Sequence, residues 1–299
     1  MTEKKLYGAI EAGGTKFVCA VGYSPDALVA NDTFQTATPE ETFAGVVEFF
    51  REVERDYQPV ARIGVASFGP VDIDPASQSY GSILKTPKPG WSGANFVERL
   101  APLNAPITVE TDVNGAALGE YNYGAGRGLQ SVAYVTVGTG LGVGVVKNRK
   151  PLSGASHYEM GHIRPPHDRA RDPFDGRCPF HGNCLEGLAC GPAIIDRWSA
   201  PLSELGPEEV ALESEYLSHL ALTIILTHMP ERIVFGGGVM KTPGLIEKLR
   251  IDTARLLGGY VQTEALSGSL EDYIVSPALG DLAGVTGAMA LATQKDKET

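Results

Sequence analysis

The chain has 299 residues, 43% of them hydrophobic, which is enough to bury a substantial core and suggests two lobes. Asp and Glu total 36 against 25 for Lys and Arg, and the resulting net charge of -11 repels nucleic-acid backbones and anionic bilayers. No window reaches the ~18 continuous apolar residues of a membrane span, Lys4-Lys5 lead into a brief strand rather than a signal peptide, and four cysteines fit a reducing compartment, so the expectation is a cytoplasmic protein without membrane or nucleic-acid partners.

Residues 6–11 and 16–22 are apolar, β-rich runs joined by Ala12-Gly13-Gly14-Thr15, which predicts a strand, glycine turn, strand hairpin. A strand near 28–35 follows. A helix then opens at Thr38, with Pro39 at its first position, Glu41 completing a capping box, and Phe43, Val46, Val47, Phe50 and Val53 on one face. Strands at 62–68 and 106–110 and a helix from Val113 to about Tyr123 complete the first lobe. The opening grammar recurs at 132–137, Gly138-Thr139-Gly140 and 141–146, so the two lobes are expected to share one topology. After a loop rich in Cys and His come helices at about 187–198 and 207–229 and a strand at 232–235 ending in Gly236-Gly237-Gly238. A helix at about 243–258, a short strand near 273–276 and an Ala- and Gly-rich helix from about Asp281 to Gln294, suited to close packing between lobes, end the series.

Three of the four cysteines fall between 157 and 190. There, His162, Cys178, His181 and Cys184 supply two imidazoles and two thiolates, and the Cys-x-x-His-x-x-Cys spacing lets a short loop wrap one zinc ion tetrahedrally. Four protein ligands leave no place for an activated water, so the zinc is read as structural. Buried thiols and surface histidines are the alternative, and His157, His167 or Cys190 can each replace one ligand. Cys190, on the helix predicted after Glu186, and Cys19, within a strand, are read as packed core residues.

Each glycine tip can aim backbone N–H groups at one point, with Thr15 and Thr139 adding hydroxyls. If the lobes face each other, the two tips form jaws for the β and γ phosphates of a nucleotide, and Gly236-Gly237-Gly238 offers a surface for adenine or ribose unless it is merely a flexible loop. No P-loop sequence is present. Asp112, at the carboxyl end of a strand, suits a base that orients a phosphoryl acceptor, or equally the N-cap of the helix that follows. Asn95 is either a polyol contact or a turn former, and Glu159 and Glu186, flanking the metal loop, either accept from sugar hydroxyls or lie solvated.

Taken together, EAGGTK at 11–16, GVASFGPVD at 64–72, VGTGLG at 137–142 and EMGH at 159–162 resemble the motifs of the ROK family of sugar kinases over almost the whole chain. The resemblance implies an α/β fold with two ribonuclease-H-like lobes of the actin, hexokinase and heat-shock ATPase superfamily, and a zinc-braced loop at 157–186 in the second. The smaller lobe is expected to span 1–113 plus 281–299, the larger 114–280. Asp112 is implied as catalytic base. Asn95, Glu159, His162 and Glu186 are implied as sugar contacts, and His162, Cys178, His181 and Cys184 as metal ligands. The nucleotide falls to Gly13, Gly14, Thr15, Lys16, Gly138, Thr139, Gly140, Pro192, Gly236, Gly237, Gly238, Val239 and Met240. Cofactors are ATP, Mg²⁺ and structural Zn²⁺, and family members are commonly dimers. CPFHGNCLE departs from the commoner three-cysteine pattern and is similar to the bacterial fructokinase branch, which implies transfer of the γ-phosphate to D-fructose, giving fructose 6-phosphate. Thr111 stands where many members carry Asn, which argues against glucose. Mannose, glucose and a non-enzymatic sugar-responsive regulator are the alternatives.

Overall fold

The computed structural model describes residues 4–294. They form two compact units. One holds the described residues up to Tyr123, Pro151–His157 and the segment from Leu282; the other holds Gly124–Lys150 and Tyr158–Asp281. The sequence reading divides the chain at Val113, whereas here the helix that begins at Asp112 stays whole within the first unit.

The first unit carries strands β1 (Leu6–Ala12), β2 (Lys16–Gly22), β3 (Leu28–Gln35), β4 (Val60–Ser67) and β5 (Ile107–Thr111) and helices α1 (Pro39–Asp56), α2 (Phe96–Leu100) and α3 (Asp112–Tyr123). Its sheet runs β3-β2-β1-β4-β5, antiparallel from β3 to β1 and parallel beyond. The second unit carries β6 (Ser131–Val137) and β7 (Leu141–Lys147), with β8 (Lys150–Pro151) at the junction. Then come α4 (Leu185–Ala189), α5 (Gly191–Trp198), α6 (Pro207–His228), β9 (Arg232–Gly236), α7 (Leu245–Leu257) and β10 (Ile274–Val275). Its sheet, β8-β7-β6-β9-β10, repeats the first order with β6 in the place of β1, as the recurring hairpin grammar predicts. Helix α8 (Ala283–Gln294) returns to the first unit.

The capping box at α1 forms as expected: the Thr38 hydroxyl accepts from the Glu41 N–H at 3.3 Å and the Glu41 carboxylate accepts from the Thr38 N–H at 3.3 Å. One predicted helix proves to be two. Between α4 and α5, Cys190 is extended (φ -73°, ψ 158°), because Pro192 has no N–H to continue the first helix and is tolerated only at the start of a new one. Short α2 was not predicted; five residues are too few to show a period.

Helix α8 is apolar or small on nearly every side and buried almost throughout. It packs on β1, β4 and α3 inside the first unit. Glycines permit the approach. A Cβ on Gly287 would lie 1.7 Å from the Gly115 carbonyl oxygen, and one on Gly64 would lie 1.9 Å from that of Ala288. Because both obstacles are backbone, Gly287→Ala is expected to destabilise the protein by about 3 kcal/mol or more, at the upper end of overpacking costs. Gly154→Ala, which meets nothing within 4 Å, should be near neutral in the same denaturant titration. Equal midpoints for the two variants would contradict this packing.

Candidate functional site

At the first glycine turn the Gly13 N–H donates to the Lys16 carbonyl at 2.9 Å and the Thr36 hydroxyl donates to the Gly13 carbonyl at 2.8 Å. A Cβ on Gly13 would sit 2.8 Å from the Lys16 oxygen, so only glycine closes the turn, while the outer side of Gly14 is open. Gly14, Thr15 and Lys16 are exposed.

Also in the first unit, β5 delivers Glu110, Thr111 and Asp112 to the start of α3. The Thr111 hydroxyl accepts from the Asn114 N–H at 3.2 Å, which makes Thr111 the residue that caps the third helical position. Asp112, beside it, accepts from the adjacent Val113 N–H at 2.8 Å and is half-exposed. The capping job proposed as an alternative for Asp112 is therefore carried in good part by its neighbour. Glu110 accepts from the Asn114 side-chain amide at 2.8 Å; burial raises its carboxyl above the usual range, an effect that the bonds from Asn114 and the Thr111 N–H and the nearby His157 only partly offset. Asn95 is buried and caps α2, its Oδ1 accepting from the Glu98 N–H at 3.0 Å and its Nδ2 donating to the Tyr80 carbonyl and the Ser82 hydroxyl. Both of its N–H donors are thus engaged in structure.

In the second unit the β6–β7 turn, Glu186 and the EMGH segment converge. The Gly138 N–H donates to the Gly140 carbonyl at 2.9 Å, and Glu186 Oε2 accepts from the Leu141 N–H at 3.0 Å. A Cβ on Gly161 would meet the Leu141 carbonyl oxygen at 1.8 Å, so glycine is what lets the segment carrying Glu159 and His162 lie against the hairpin. The nucleotide candidates of this unit gather at the same turn. The Gly191 N–H donates to the Gly138 carbonyl at 2.7 Å, placing Pro192 beside it. Gly237, at φ 93°, lies so close to Val137 that a Cβ would meet its carbonyl oxygen at 2.4 Å. Gly236, where a Cβ would meet the Tyr134 hydroxyl at 2.4 Å, and Gly237 are thus packed against β6, while a Cβ on Gly238 would meet nothing within 4 Å. Val239 and Met240 follow in a 3₁₀ turn.

The nitrogen and sulfur atoms of His162, Cys178, His181 and Cys184 all lie within 4.8 Å of one another. His162 Nδ1 is 3.4 Å from Cys184 Sγ and 3.9 Å from Cys178 Sγ, and His181 Nδ1 is 3.6 Å from Cys178 Sγ. A tetrahedron with Zn–S of about 2.3 Å and Zn–N of about 2.0–2.1 Å has edges of roughly 3.3–3.8 Å, so these spacings fit that ion. Reciprocal Cys178 and Gly182 backbone bonds of 3.1 and 2.9 Å tie the loop, and Gly182 takes the left-handed φ of 61° that the tight turn requires. His162 presents Nδ1 to the thiols and Nε2 toward Glu159, 3.9 Å away. The three substitutes for a ligand lie elsewhere. His157 belongs to the first unit, near Gly69, and His167 bonds Asp172 and Asn183. Cys190 is buried between α4 and α5, its thiol pushed up to about 11 by burial, and Cys19 is likewise a packed, inert thiol.

One buried network behind this loop was not anticipated. The Arg197 guanidinium lies 4.7 Å from the ring centres of both Phe174 and Trp198 and 3.1 Å from Asp172, which also accepts from the Tyr216 hydroxyl at 2.6 Å. Its pairing is held by charge and ring contact rather than by an aligned hydrogen bond. His167, linked to Asn183 at 3.0 Å and to the Asp172 carbonyl at 2.9 Å, connects the network to the loop that carries the His and Cys cluster. Residues so far apart in sequence share no spacing that would announce them. Among the described residues no helix is long and apolar enough to cross a membrane.

The ROK family model matches residues 7–295. The chain is 44% identical to a fructokinase of Zymomonas mobilis, with 97% of each chain covered, and 40% identical to a fructokinase of Streptococcus mutans, with 96% and 97% covered. Among solved structures it is similar to a ROK hexokinase of Thermus thermophilus, with a TM-score of 0.79 and 26% identity over 98% of this chain and 100% of that one. The repeated sheet order, the paired glycine turns and a family match spanning both units agree, and the chain belongs to the ROK family.

Proposed function

We propose that this protein is an ATP-dependent fructokinase that transfers the γ-phosphate of ATP to the 6-hydroxyl of D-fructose, giving fructose 6-phosphate. The near-full-length similarity to fructokinases carries this reading, and the chemistry of the residues supports it. Asp112, at the strand end with Thr111 sharing the helix cap, is the base that orients the acceptor hydroxyl and takes its proton. Gly13 and Gly138 close their turns with their own N–H groups, and the backbone N–H groups of Gly14 to Lys16 and of Thr139 and Gly140 hold phosphate oxygens, with Pro192 and Gly236 to Met240 serving the nucleoside. Mg²⁺, entering with the nucleotide, would supply charge neutralisation of the phosphates. Glu159, His162 and Glu186 accept from or donate to sugar hydroxyls, and Asn95 contacts the sugar through the second lone pair of the Oδ1 that caps α2.

His162, Cys178, His181 and Cys184 are the residues to hold zinc. Its chemistry there is structural, fixing the segment that carries the sugar contacts. An ADP-release assay across fructose, mannose, glucose and N-acetylmannosamine tests the acceptor. The expected result is a kcat/KM for fructose at least about tenfold above the others, in line with discrimination by hydrogen-bonded pockets. Mannose or glucose ahead of fructose would reassign the substrate.

A further inference from the structure

We propose that Lys88 contacts the terminal phosphate of the nucleotide at the first glycine turn and stabilises the charge that develops there during transfer, a role that rests on the kinase reading above.

The Lys88 ammonium donates to the Gly14 carbonyl at 2.5 Å, so the cation already stands at the tip of that turn. An ammonium carries three N–H donors, and a neutral carbonyl occupies one while neutralising none of the charge. The open outer side of Gly14 leaves room for an anion beside it. The segment carrying Lys88 is held rigidly. Pro87 and Pro89 flank it and restrict its backbone. The Thr86 N–H donates to the Ser92 hydroxyl at 3.1 Å, and the Trp91 N–H to the Lys88 carbonyl at 3.3 Å. Trp91 is fully buried; its indole N–H donates to the Ala37 carbonyl at 3.0 Å, and its ring lies 5.4 Å from Phe17 and 5.8 Å from Phe43. Phe17 follows directly on Lys16, so one aromatic core anchors both the glycine turn and the loop that brings Lys88 to it. In a chain of net charge -11, a polyanionic nucleotide needs such a local cation.

In the transfer step the acceptor oxygen bonds to the γ phosphorus as the bond from that phosphorus to the β–γ bridging oxygen breaks. ADP keeps the bonding pair, and the hydroxyl proton passes to Asp112. Lys88 gains and loses nothing; it stabilises oxygens whose charge shifts as the bonds change, where a preorganised donor has its largest effect.

The test compares Lys88→Met and Lys88→Arg with the natural protein by steady-state kinetics and by calorimetric binding of ADP and AMPPNP. Lys88→Met should lower kcat by about 10²–10³-fold, keep ADP affinity within about twofold and lose any preference for AMPPNP, while Lys88→Arg recovers much of the rate. A kcat for Lys88→Met within about threefold of the natural value would overturn the assignment. So would equal weakening of ADP and AMPPNP together with a lower melting temperature, which would mark Lys88 as support for the turn alone. If the natural protein turns over no hexose, the kinase reading fails; the AMPPNP-to-ADP ratio of the Met variant still decides whether Lys88 meets a terminal phosphate.

Discussion

Replacing Asp112 by Asn is expected to lower kcat by about 10³-fold, the middle of the range for losing a positioned general base, while ATP affinity changes by no more than about twofold. Asn keeps the size of the side chain and an oxygen that can accept from the Val113 N–H, and Thr111 still caps α3, so the fold at this junction is preserved. What disappears is the group that takes the acceptor's proton. The measurement is ADP release under saturating fructose alongside calorimetric ATP binding. A variant with near-natural turnover would remove Asp112 from the chemistry and leave it as an accessory cap.

The second large effect concerns the four-residue His and Cys cluster. Purified protein should contain about one zinc ion per chain by elemental analysis, and Cys184→Ser should lose it, because a hydroxyl is a poor replacement for a buried thiolate ligand. Metal-binding free energy is folding free energy for such a loop, so the melting temperature should fall by on the order of 10 °C. Because the same loop carries Glu159 and leads into Glu186, the KM for fructose should rise by about 10–100-fold, the usual consequence of disturbing the groups that orient a site. Metal-free protein with unchanged melting temperature and KM would contradict both the zinc assignment and its coupling to the sugar.

The hairpins were legible because β-rich runs broken by Gly-Gly-Thr or Gly-Thr-Gly leave few alternatives to a turn, and Thr38 with Glu41 states a helix start in four residues. The cluster of His162, Cys178, His181 and Cys184 was legible for a similar reason: three of its members sit within seven residues, and only His162 had to be recruited from outside. The helix predicted from 187 failed at Cys190 because an apolar period runs straight across a proline whose backbone cannot comply. Asn95 shows the opposite limit. Its residue type suits a sugar contact or a turn, and its choice depends on where Tyr80 and Ser82 arrive in the fold. The Arg197 network and the Lys88 bond to Gly14 lie further out of reach, since each joins residues that only the finished packing brings together.

The position of α8 bears on how the protein is made. Ala9, Ala20 and Ala66, on the face that α8 covers, belong to strands synthesised early, whereas Val285, Ala288, Met289 and Ala292 leave the ribosome only after every strand of the second unit. Domains tend to fold as units as they emerge, so the second unit can be native while the first still exposes an apolar sheet face. Chaperone demand during translation should therefore centre on the half of the molecule that is translated first.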